Sequence, residues 1–284
     1  MAQIDQFESV FRSALRDVYE YQPVSVRSVL LITDRKAPEI KDYLSDVQRF
    51  LSVLGDEVEW RVFNDEARYT TADLLERIGR EPPDLICTYR NLHSNAWRYP
   101  HSLGEHLDVL LQKTDVPVMI LPHPDADYAH DHALENTDCV MVVTDHLVNA
   151  HRLVNFAVGF AEEKGTVFLA HIEDQGIFDR YMAAISKIPD IDTDLAAARI
   201  HAQLLKGPRD YVASCMRVLA DQNLPVQVET IVTFGKHLSE YREYIAIHQV
   251  DLLLMSSKDK EQMAMHGPAY PLAIELRKIP LLLL

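Results

Sequence analysis

The chain has 284 residues, of which 48% are hydrophobic and 25% charged, values typical of globular proteins, and its length favours two domains of ordinary size. Its formal charge of −15, from 28 basic and 43 acidic residues, would repel a phosphate backbone, so general nucleic-acid binding is not expected. No apolar run approaches the roughly 20 residues that span a bilayer, and the opening MAQIDQFESVFRSALRDVYEY lacks the basic start and apolar block of a signal peptide. We therefore expect a cytoplasmic protein without a membrane segment.

The first half contains, in chain order, an amphipathic opening segment and four short strands separated by helical patterns. Residues 1–23 are assigned to a helical N-terminal extension and residues 24–122 to a first domain. The strands are uninterrupted apolar runs, which are typical of buried parallel strands. They are predicted near residues 28–34, 57–63, 84–88 and 117–121, with an amphipathic helix at 71–80.

Residues 123–137, with the sequence HPDADYAHDHALENT, lack apolar periodicity and are rich in Asp and His, so they are predicted to be a linker. The segment groups residue types that bind divalent ions, among them His123, Asp125 and His130. Their order has no recognised ligand spacing on a regular element. We therefore expect a solvated acidic linker rather than a metal site.

The second half is assigned to a domain at residues 138–284 that contains a helical insert. Residues 174–225 carry helical patterns that Pro189 and Gly207-Pro208 are expected to break, which predicts a helical hairpin. The strands are predicted near residues 138–145, 166–172, 226–233, 251–256 and 280–284, with helices at 149–161 and 237–248.

Three pairs of segments repeat between the two halves. The first pair are apolar strands that close on Thr-Asp, the second are strands led by an aspartate, and the third place a glycine thirteen residues before a proline. They are, in order, Ser28–Asp34 with Cys139–Asp145, Asp84–Thr88 with Asp251–Met255, and Gly104–Pro117 with Gly267–Pro280. Strands that alternate with helices in this way require right-handed βαβ crossovers. The predicted fold class is α/β, with two tandem doubly wound parallel-sheet domains.

The last strand of each half is apolar and would be exposed at a sheet edge if nothing covered it. Because residues 118–121 and 281–284 have this character in common, we expect them to pair with each other. Such pairing would relate the halves by a pseudo-twofold axis and form an intramolecular pseudo-dimer. Two distant edges would contradict this hypothesis.

The order of elements in the second half resembles that of a known family. A strand closing on Asp145 is followed by the helix at 149–161, the strand Gly165–Ile172, and a final region from Asp251 through Gly267. This order resembles the universal stress protein family, and the resemblance extends over nearly the whole chain beyond about residue 25. It implies a tandem, two-domain member with a Rossmann-like, adenine-nucleotide-hydrolase-like fold and a role in the stress response.

The ATP-binding members of that family carry Gly-x2-Gly-x9-Gly-Ser/Thr, where small residues let backbone N–H groups approach phosphates at a helix N-terminus. In the first half Asn91, Ser94, Gly104 and Glu105 fall on that spacing. Only the last glycine is kept, and the carboxylate of Glu105 would repel a phosphate. The motif is therefore degenerate in the first half.

The second half departs from the same motif in another way. Gly267 matches the last glycine, but Pro268 stands at the hydroxyl position and removes a backbone donor. Ser256 and Ser257 are small residues earlier in this loop, yet the full spacing cannot be fitted without a gap. Conventional ATP binding is therefore not expected in either half.

Two acidic residues at strand ends are further candidates. Asp34 and Asp145 match the aspartate that contacts the nucleotide base in the ATP-binding relatives. A carboxylate after a strand can instead cap the following helix by accepting its free N–H groups. Both interpretations stay open for each residue.

The segment at 89–101, YRNLHSNAWRYPH, follows a strand at the edge where open α/β sheets bind ligands. Arg90 and Arg98 can pair with a carboxylate or phosphate, while Trp97 offers a stacking face. The alternative is that these side chains pack the loop onto the second half, with the arginines pairing to its acids. The sequence leaves a ligand site and an interface between the halves open.

Catalytic motifs are missing from the sequence. It contains no Gly-x-Ser-x-Gly, HExxH, CxxC or Walker-type GxxxxGK[ST], and Ser256 and Ser257 with His266 have no orienting acid. The cysteines at 87, 139 and 215 stand in apolar stretches without paired spacing, so buried reduced thiols are expected. We expect no catalysis.

The function predicted from the sequence is a tandem universal stress protein with degenerate ATP-binding motifs, acting as a ligand-sensing or interaction module. One alternative is an ATP- or AMP-binding protein with weak ATPase activity in the second domain. Another is a structural adaptor whose insert at 174–225 binds a protein partner. The oligomeric state stays open, with a homodimer among the alternatives. The candidate ligand-binding residues are Asp34, Tyr89, Arg90, Asn91, Ser94, Trp97, Arg98, Gly104, Asp145, Ser256, Ser257 and Gly267.

Overall fold

A computed structural model describes residues 19–64, 69–143, 150–257 and 269–284. The strands follow the predicted order. They are β1 (Ser28–Ile32), β2 (Glu59–Phe63), β3 (Leu85–Tyr89), β4 (Val118–Leu121), β5 (Cys139–Val143), β6 (Thr166–Asp174), β7 (Gln227–Gly235), β8 (Leu252–Met255) and β9 (Leu281–Leu283).

Helices cross over between most of these strands, as the alternating pattern predicts. They are α1 (Ala37–Phe50), α2 (Thr71–Arg80), α3 (Glu105–Lys113), α4 (Ala150–Phe160), α5 (Gln175–Ile185), α6 (Thr193–Asp221), α7 (His237–His248) and α8 (Ala269–Glu275). The start of α2 shows how local side-chain contacts fix where a helix begins. The Thr70 hydroxyl accepts from the N–H of Asp73, whose carboxylate accepts from the N–H of Thr70, forming a capping box.

The strands form one nine-stranded sheet in the order β2-β1-β3-β4-β9-β8-β5-β6-β7. Seven of its eight neighbouring pairs are parallel, and β4 pairs with β9 in the antiparallel sense. Hydrophobic side chains from strands of both halves join a single core cluster. The α/β class with a doubly wound, mostly parallel sheet is therefore confirmed.

The predicted pairing of the two last strands is confirmed. Val118 lies opposite Leu283, Met119 opposite Leu282 and Ile120 opposite Leu281, and these six side chains are buried. Each strand thereby covers the edge that the other would expose. The two halves therefore meet through main-chain hydrogen bonds at the centre of the sheet.

The two halves also begin their first strands in the same way. Asp84 Oδ2 accepts from the N–H groups of Arg27 at 2.9 Å and Ser28 at 3.0 Å. Asp251 Oδ2 accepts from the N–H of Cys139 at 2.8 Å. In return, the N–H groups of Asp84 and Asp251 donate to the carbonyls of Ser28 and Cys139. The repeated aspartate of the sequence thus aligns neighbouring strands in both halves.

The insert is a helical hairpin, but one expected break in it is wrong. Pro189 lies in the turn between α5 and α6, whereas α6 continues through Gly207 and Pro208 for 29 residues. A proline inside a helix loses one hydrogen bond. Pro208 lies on the face of α6 that is buried, as do Tyr211 and Val212 one turn later. Packing of this face keeps the helix continuous despite the local preference.

The opening segment falls mostly outside the described residues. From Tyr19 onward the chain runs to β1 without a helix, so the predicted helical extension is not continued over residues 19–23. The buried Tyr19 hydroxyl donates to Asn155 Oδ1 at 2.7 Å, which fastens this segment to α4. Among the helices described, none is long and apolar enough to cross a membrane.

Candidate functional site

The carboxyl ends of β1, β3 and β4 meet at one edge of the sheet in the first half. In open α/β sheets this edge is where ligands bind. Asp34 follows β1, Tyr89 ends β3 and His123 follows β4. The candidate site of the first half is built on these three positions.

The Asp34 carboxylate is engaged by two donors from its own chain. The hydroxyl of Tyr89 donates to Oδ1, and the N–H of His93 donates to Oδ2 at 2.6 Å. Burial, followed by the hydrogen bond to Asp34, raises the pKa of Tyr89 well above its ordinary value, so the phenol stays protonated. Asp34 does not cap the next helix, because Lys36 is the N-cap of α1 and no side chain caps it. The helix-cap interpretation of Asp34 is therefore wrong.

The loop between β3 and α3 is closed on itself where a phosphate-binding loop would be open. The N–H of Asn91 donates to the carbonyl of Leu103 at 2.8 Å, and its side-chain amide donates to that of Ser102 at 3.1 Å. Ser94 accepts from the N–H of Ala96 and caps a short 3₁₀ turn. These polar groups have partners inside the loop.

Position 104, the N-cap of α3, must be glycine because the backbone of Asn91 passes very close to it. Its φ is +92°, and a Cβ on it would lie 2.7 Å from the Asn91 Cα and 2.8 Å from the Asn91 nitrogen. Only glycine fits such an approach of two backbones. The surviving glycine of the degenerate motif therefore has a structural role within the loop.

The rings of Tyr69, His93 and His106 pack together in the first half, and the N–H of His93 donates to the Asp34 carboxylate. The centroid of Tyr69 is 5.1 Å from that of His93 and 5.2 Å from that of His106. On its other side Tyr69 packs against Phe63 at the end of β2. The rings are in edge or tilted contact, which is favourable for aromatic pairs. They connect the end of β2 with the start of α3.

Arg90 reaches across to the second half. Its guanidinium donates to the carbonyl of Ala273 at 2.6 Å and to that of Leu276 at 3.1 Å. Arg90 is only 2% exposed, and burial lowers its pKa to about 10, so it remains charged at neutral pH. The cation satisfies carbonyls at the C-terminal end of α8, where positive charge is favourable.

Trp97 holds the linker and the second half together. Its ring stacks on His123 with centroids 4.1 Å apart, and its carbonyl accepts from Arg277 Nη1 at 3.0 Å. The Arg277 guanidinium in turn lies 4.2 Å from the ring centroid of Tyr128. The exposed Arg98 lies over the Trp97 ring, 5.3 Å from its centroid. The loop thus joins three parts of the chain.

The linker is not solvated along its whole length, which corrects the expectation for its first residues. His123 is buried between Trp97 and Tyr89, and burial lowers its pKa to about 4, so it is neutral at physiological pH. Asp125 pairs with Arg35, which is itself paired with Glu39. The start of the linker therefore crosses the edge of the sheet above Tyr89. The described residues contain no group of three side chains suited to hold a metal ion.

The second half presents a different set of residues at the corresponding edge. Aligning Asp84 with Asp251 places Ser256 and Ser257 where the first half has Tyr89 and Arg90. The N–H and the hydroxyl of Ser257 both donate to the carbonyl of Leu284, at 2.8 and 3.0 Å. Asp145 and Gly267, the other two candidates of this half, lie outside the described residues.

The cysteines are free, and none has the electrostatic surroundings of a nucleophile. Burial raises the pKa of Cys215 to about 11 and, together with nearby carboxylates, that of Cys139 to about 12. The pKa of Cys87, inside β3, is raised well above its ordinary value by burial. Thiolates are therefore disfavoured at all three positions.

Sequence reasoning misses several residues of the first-half site. It considers His93, with Asn91, as a source of hydrogen bonds in the 89–101 segment, but it singles out neither Tyr69, His106 nor Arg277. No local pattern identifies His106 or Arg277, because their partners described above are 13 to 180 positions away in the chain. His123 could have been found, since it directly follows a strand at the carboxyl edge.

Comparison with known proteins identifies the second half. Residues 137–265 match the model of the universal stress protein family. This part of the second half is similar to the universal stress protein family. This confirms the family resemblance for that half, and a search of curated proteins finds no match.

Several solved structures align with this chain over most of its length. A universal stress protein from Archaeoglobus fulgidus DSM 4304 has a TM-score of 0.54 and 14% identity, over 92% of this chain and 98% of that one. A putative universal stress protein from Pseudomonas aeruginosa UCBPP-PA14 has a TM-score of 0.49 and 11% identity, over 91% and 93%. A functionally unknown protein from Pseudomonas aeruginosa PAO1 has a TM-score of 0.48 and 9% identity, over 91% and 92%. The first of these supports the fold.

Proposed function

We propose that this universal stress protein is a non-catalytic module that senses a small ligand through its second half, while its first half serves as a closed scaffold. The observation that carries the proposal is the engagement of Asp34. Its two carboxylate oxygens accept from Tyr89 and from the N–H of His93. A nucleotide base at this position would have to displace both donors.

Other contacts of the first half support the same conclusion. Arg90 is buried against carbonyls at the end of α8, and a phosphate would have to compete with them. The Asn91 backbone lies directly against Gly104, so N–H groups of this loop are turned toward the chain itself. The first turn of α3 also carries Glu105, whose charge opposes that of a phosphate.

The second half lacks these obstructing side chains at the matching positions. Ser256 and Ser257 replace Tyr89 and Arg90, so no phenol or guanidinium from these positions fills the edge. We propose Asp145, Ser256, Ser257 and Gly267 as the ligand-contacting residues, where a ligand that binds Ser257 replaces the Leu284 carbonyl as its acceptor. ATP or AMP is the first ligand to test, because the degenerate motif and Pro268 argue against the usual phosphate cradle but leave a base and ribose site open.

Calorimetric titration with ATP, AMP and cyclic nucleotides tests the proposal on the full chain. We expect one nucleotide per chain for any nucleotide that binds, with binding lost in Asp145→Ala and kept in Asp34→Ala. A parallel assay of phosphate release should show no turnover. Loss of binding in Asp34→Ala alone, or two nucleotides per chain, would contradict the closed first half. Measurable hydrolysis would favour the alternative of a weak ATPase.

A second candidate function, a structural adaptor, is favoured by the helical insert. None of the eleven residues of α5 is buried, although the helix is amphipathic and its apolar side could pack against a partner. We propose that the insert binds a protein partner in this case. Titrations in which no nucleotide releases or absorbs heat would favour the adaptor over the ligand sensor.

A further inference from the structure

The insert carries most of the exposed large apolar side chains of the described chain. Of eight such residues, five lie between positions 177 and 195, and each of the five is 38% to 58% exposed. We call them the hairpin surface: Ile177, Tyr181, Ile188, Ile191 and Leu195. Clustered exposed apolar residues mark sites of association more often than scattered ones do.

The hairpin surface faces away from the body of the protein. Phe178, on the inner side of α5, packs against His201 at 5.7 Å and Phe234 at 5.3 Å between ring centroids. Ile177 and Tyr181, one helical turn apart, are 38% and 58% exposed to solvent. No residue of 175–204 joins the core cluster of the described chain. The inner contacts of the hairpin are therefore already made, and its outer apolar side is left for another molecule.

The charge around this surface selects the kind of partner. Residues 175–200 contain three basic and four acidic residues, whereas the whole chain has a formal charge of −15. The net charge of this segment is therefore only −1, so two copies brought together here meet little net repulsion.

The charges on the hairpin are also complementary to themselves. Arg180 and Lys187 are exposed on and just after α5, while Asp190 and Asp194 are exposed before and at the start of α6. No ion pair joins any of these four to another described residue. In a two-fold contact each surface meets its own copy, so the cations of one chain can face the acids of the other.

We propose that a second copy of this chain docks on the hairpin surface and forms a two-fold symmetric dimer. The apolar side chains supply the buried centre, with Tyr181 as the aromatic anchor, and the four charges form the rim. This inference rests on the adaptor function and names its partner. It does not involve the ligand residues of either half.

Sedimentation equilibrium of the full chain over a wide concentration range tests the proposal. We expect a monomer–dimer equilibrium whose Kd rises at least about tenfold in Tyr181→Asp and in Leu195→Asp, since each places a charge in the apolar centre. Ile247→Asp is the matched control, because Ile247 is 63% exposed on α7, away from the insert, and its Kd should stay unchanged. Circular dichroism checks that all three variants remain folded.

Charge reversal tests the register of the contact. Arg180→Glu with Lys187→Glu should weaken self-association, and so should Asp190→Lys with Asp194→Lys, because each homodimer then opposes like charges. Mixing the two variants should restore dimers, since both rim contacts regain opposite charges. Failure of the mixture to associate would overturn the proposed facing of these groups.

The outcomes separate this inference from the adaptor function on which it rests. A chain that stays monomeric at all concentrations, but whose Tyr181→Asp variant loses a different protein partner, would overturn the dimer and keep the adaptor. A dimer whose Kd is unaffected by the hairpin variants would overturn the proposed dimer contact without contradicting the adaptor function. A dimer weakened equally by Ile247→Asp would also contradict the proposed surface.

Discussion

Asp84 and Asp251 occupy the same place in the repeat, yet their environments shift their pKa values in opposite directions. Burial raises the pKa of Asp251 to about 6, which outweighs the single N–H bond from Cys139. Burial also acts on Asp84, but the N–H of Arg27 and the hydroxyl and N–H of Ser28 together lower its pKa. Matched residues of a repeat can therefore contribute to stability with opposite sign.

Neutralising these two residues should have opposite effects. A folded pKa above the unfolded value of about 3.9 means that native Asp251 retains its proton while the unfolded chain loses it, so stability falls as pH rises from about 4 to about 6. Asp251→Asn should therefore be more stable than the wild type at pH 7.5, by up to about 2 kcal/mol, and lose that advantage near pH 4. Urea denaturation across this range measures it.

Asp84→Asn is the matched control for that series. Its folded pKa is lowered, so the ionised carboxylate stabilises the protein above its unfolded pKa, and this contribution is lost as pH falls through the folded value. The variant should be less stable than the wild type at neutral pH, and the difference should shrink in acid. Equal destabilisation by both substitutions at pH 7.5 would show that the Asp251 carboxylate is not disfavoured by burial.

Substitutions of Gly104 and Gly55 compare the stability cost of a positive φ alone with the cost of a positive φ and a steric clash together. Both have positive φ, +92° and +84°, but only at Gly104 would an added Cβ lie within 4 Å of backbone atoms, those of Asn91. Gly55→Ala should cost about 1 kcal/mol from its φ alone, while Gly104→Ala should cost about 3 kcal/mol or more, because the loop must also move. Thermal unfolding of the two variants gives the comparison, and similar losses would mean that the loop yields easily.

At the level of elements, strand order and most boundaries could be predicted because each strand is a continuous apolar run. The break expected at Gly207-Pro208 was wrong. The helix preference of two residues does not include the stabilisation from burying the face with Pro208, Tyr211 and Val212. The candidate loop was found from its composition. Its partners were not, because Arg90 bonds to carbonyls, which every residue type carries.

Among the contacts between elements, the loss of the one between Arg90 and the end of α8 should lower the unfolding free energy most. Arg90→Ala would leave the carbonyls of Ala273 and Leu276 without their donor and open a cavity in a buried site, so we expect a loss of about 3 kcal/mol or more in unfolding free energy. Arg98→Ala, an exposed change in the same loop, should stay within about 0.5 kcal/mol. Denaturant unfolding of both variants decides whether the loop is an interface, and an equal, small effect would argue against it.

At the scale of the whole molecule, the antiparallel pairing of β4 with β9 makes one sheet out of two repeated halves. The sequence predicted this pairing because an apolar last strand needs cover in both halves. Packing of the loop with Arg90 and Trp97 onto the second half was one of two alternatives that the sequence left open. The sequence identified neither Arg277 nor the carbonyls that accept from Arg90. Strand pairing and loop contacts together favour unfolding as a single unit.

That expectation can be tested, because natural probes report on each half separately. The two tryptophans, Trp60 and Trp97, lie in the first half, whereas Cys215 is buried in α6 of the second. We expect the urea midpoint from tryptophan fluorescence to coincide with that from thiol labelling of Cys215, followed by mass spectrometry. In Leu282→Pro, which removes a backbone donor from the strand between β4 and β8, both halves should be weakened and the midpoints should separate. Separate midpoints in the wild-type chain would instead mean that the shared sheet does not couple the two halves.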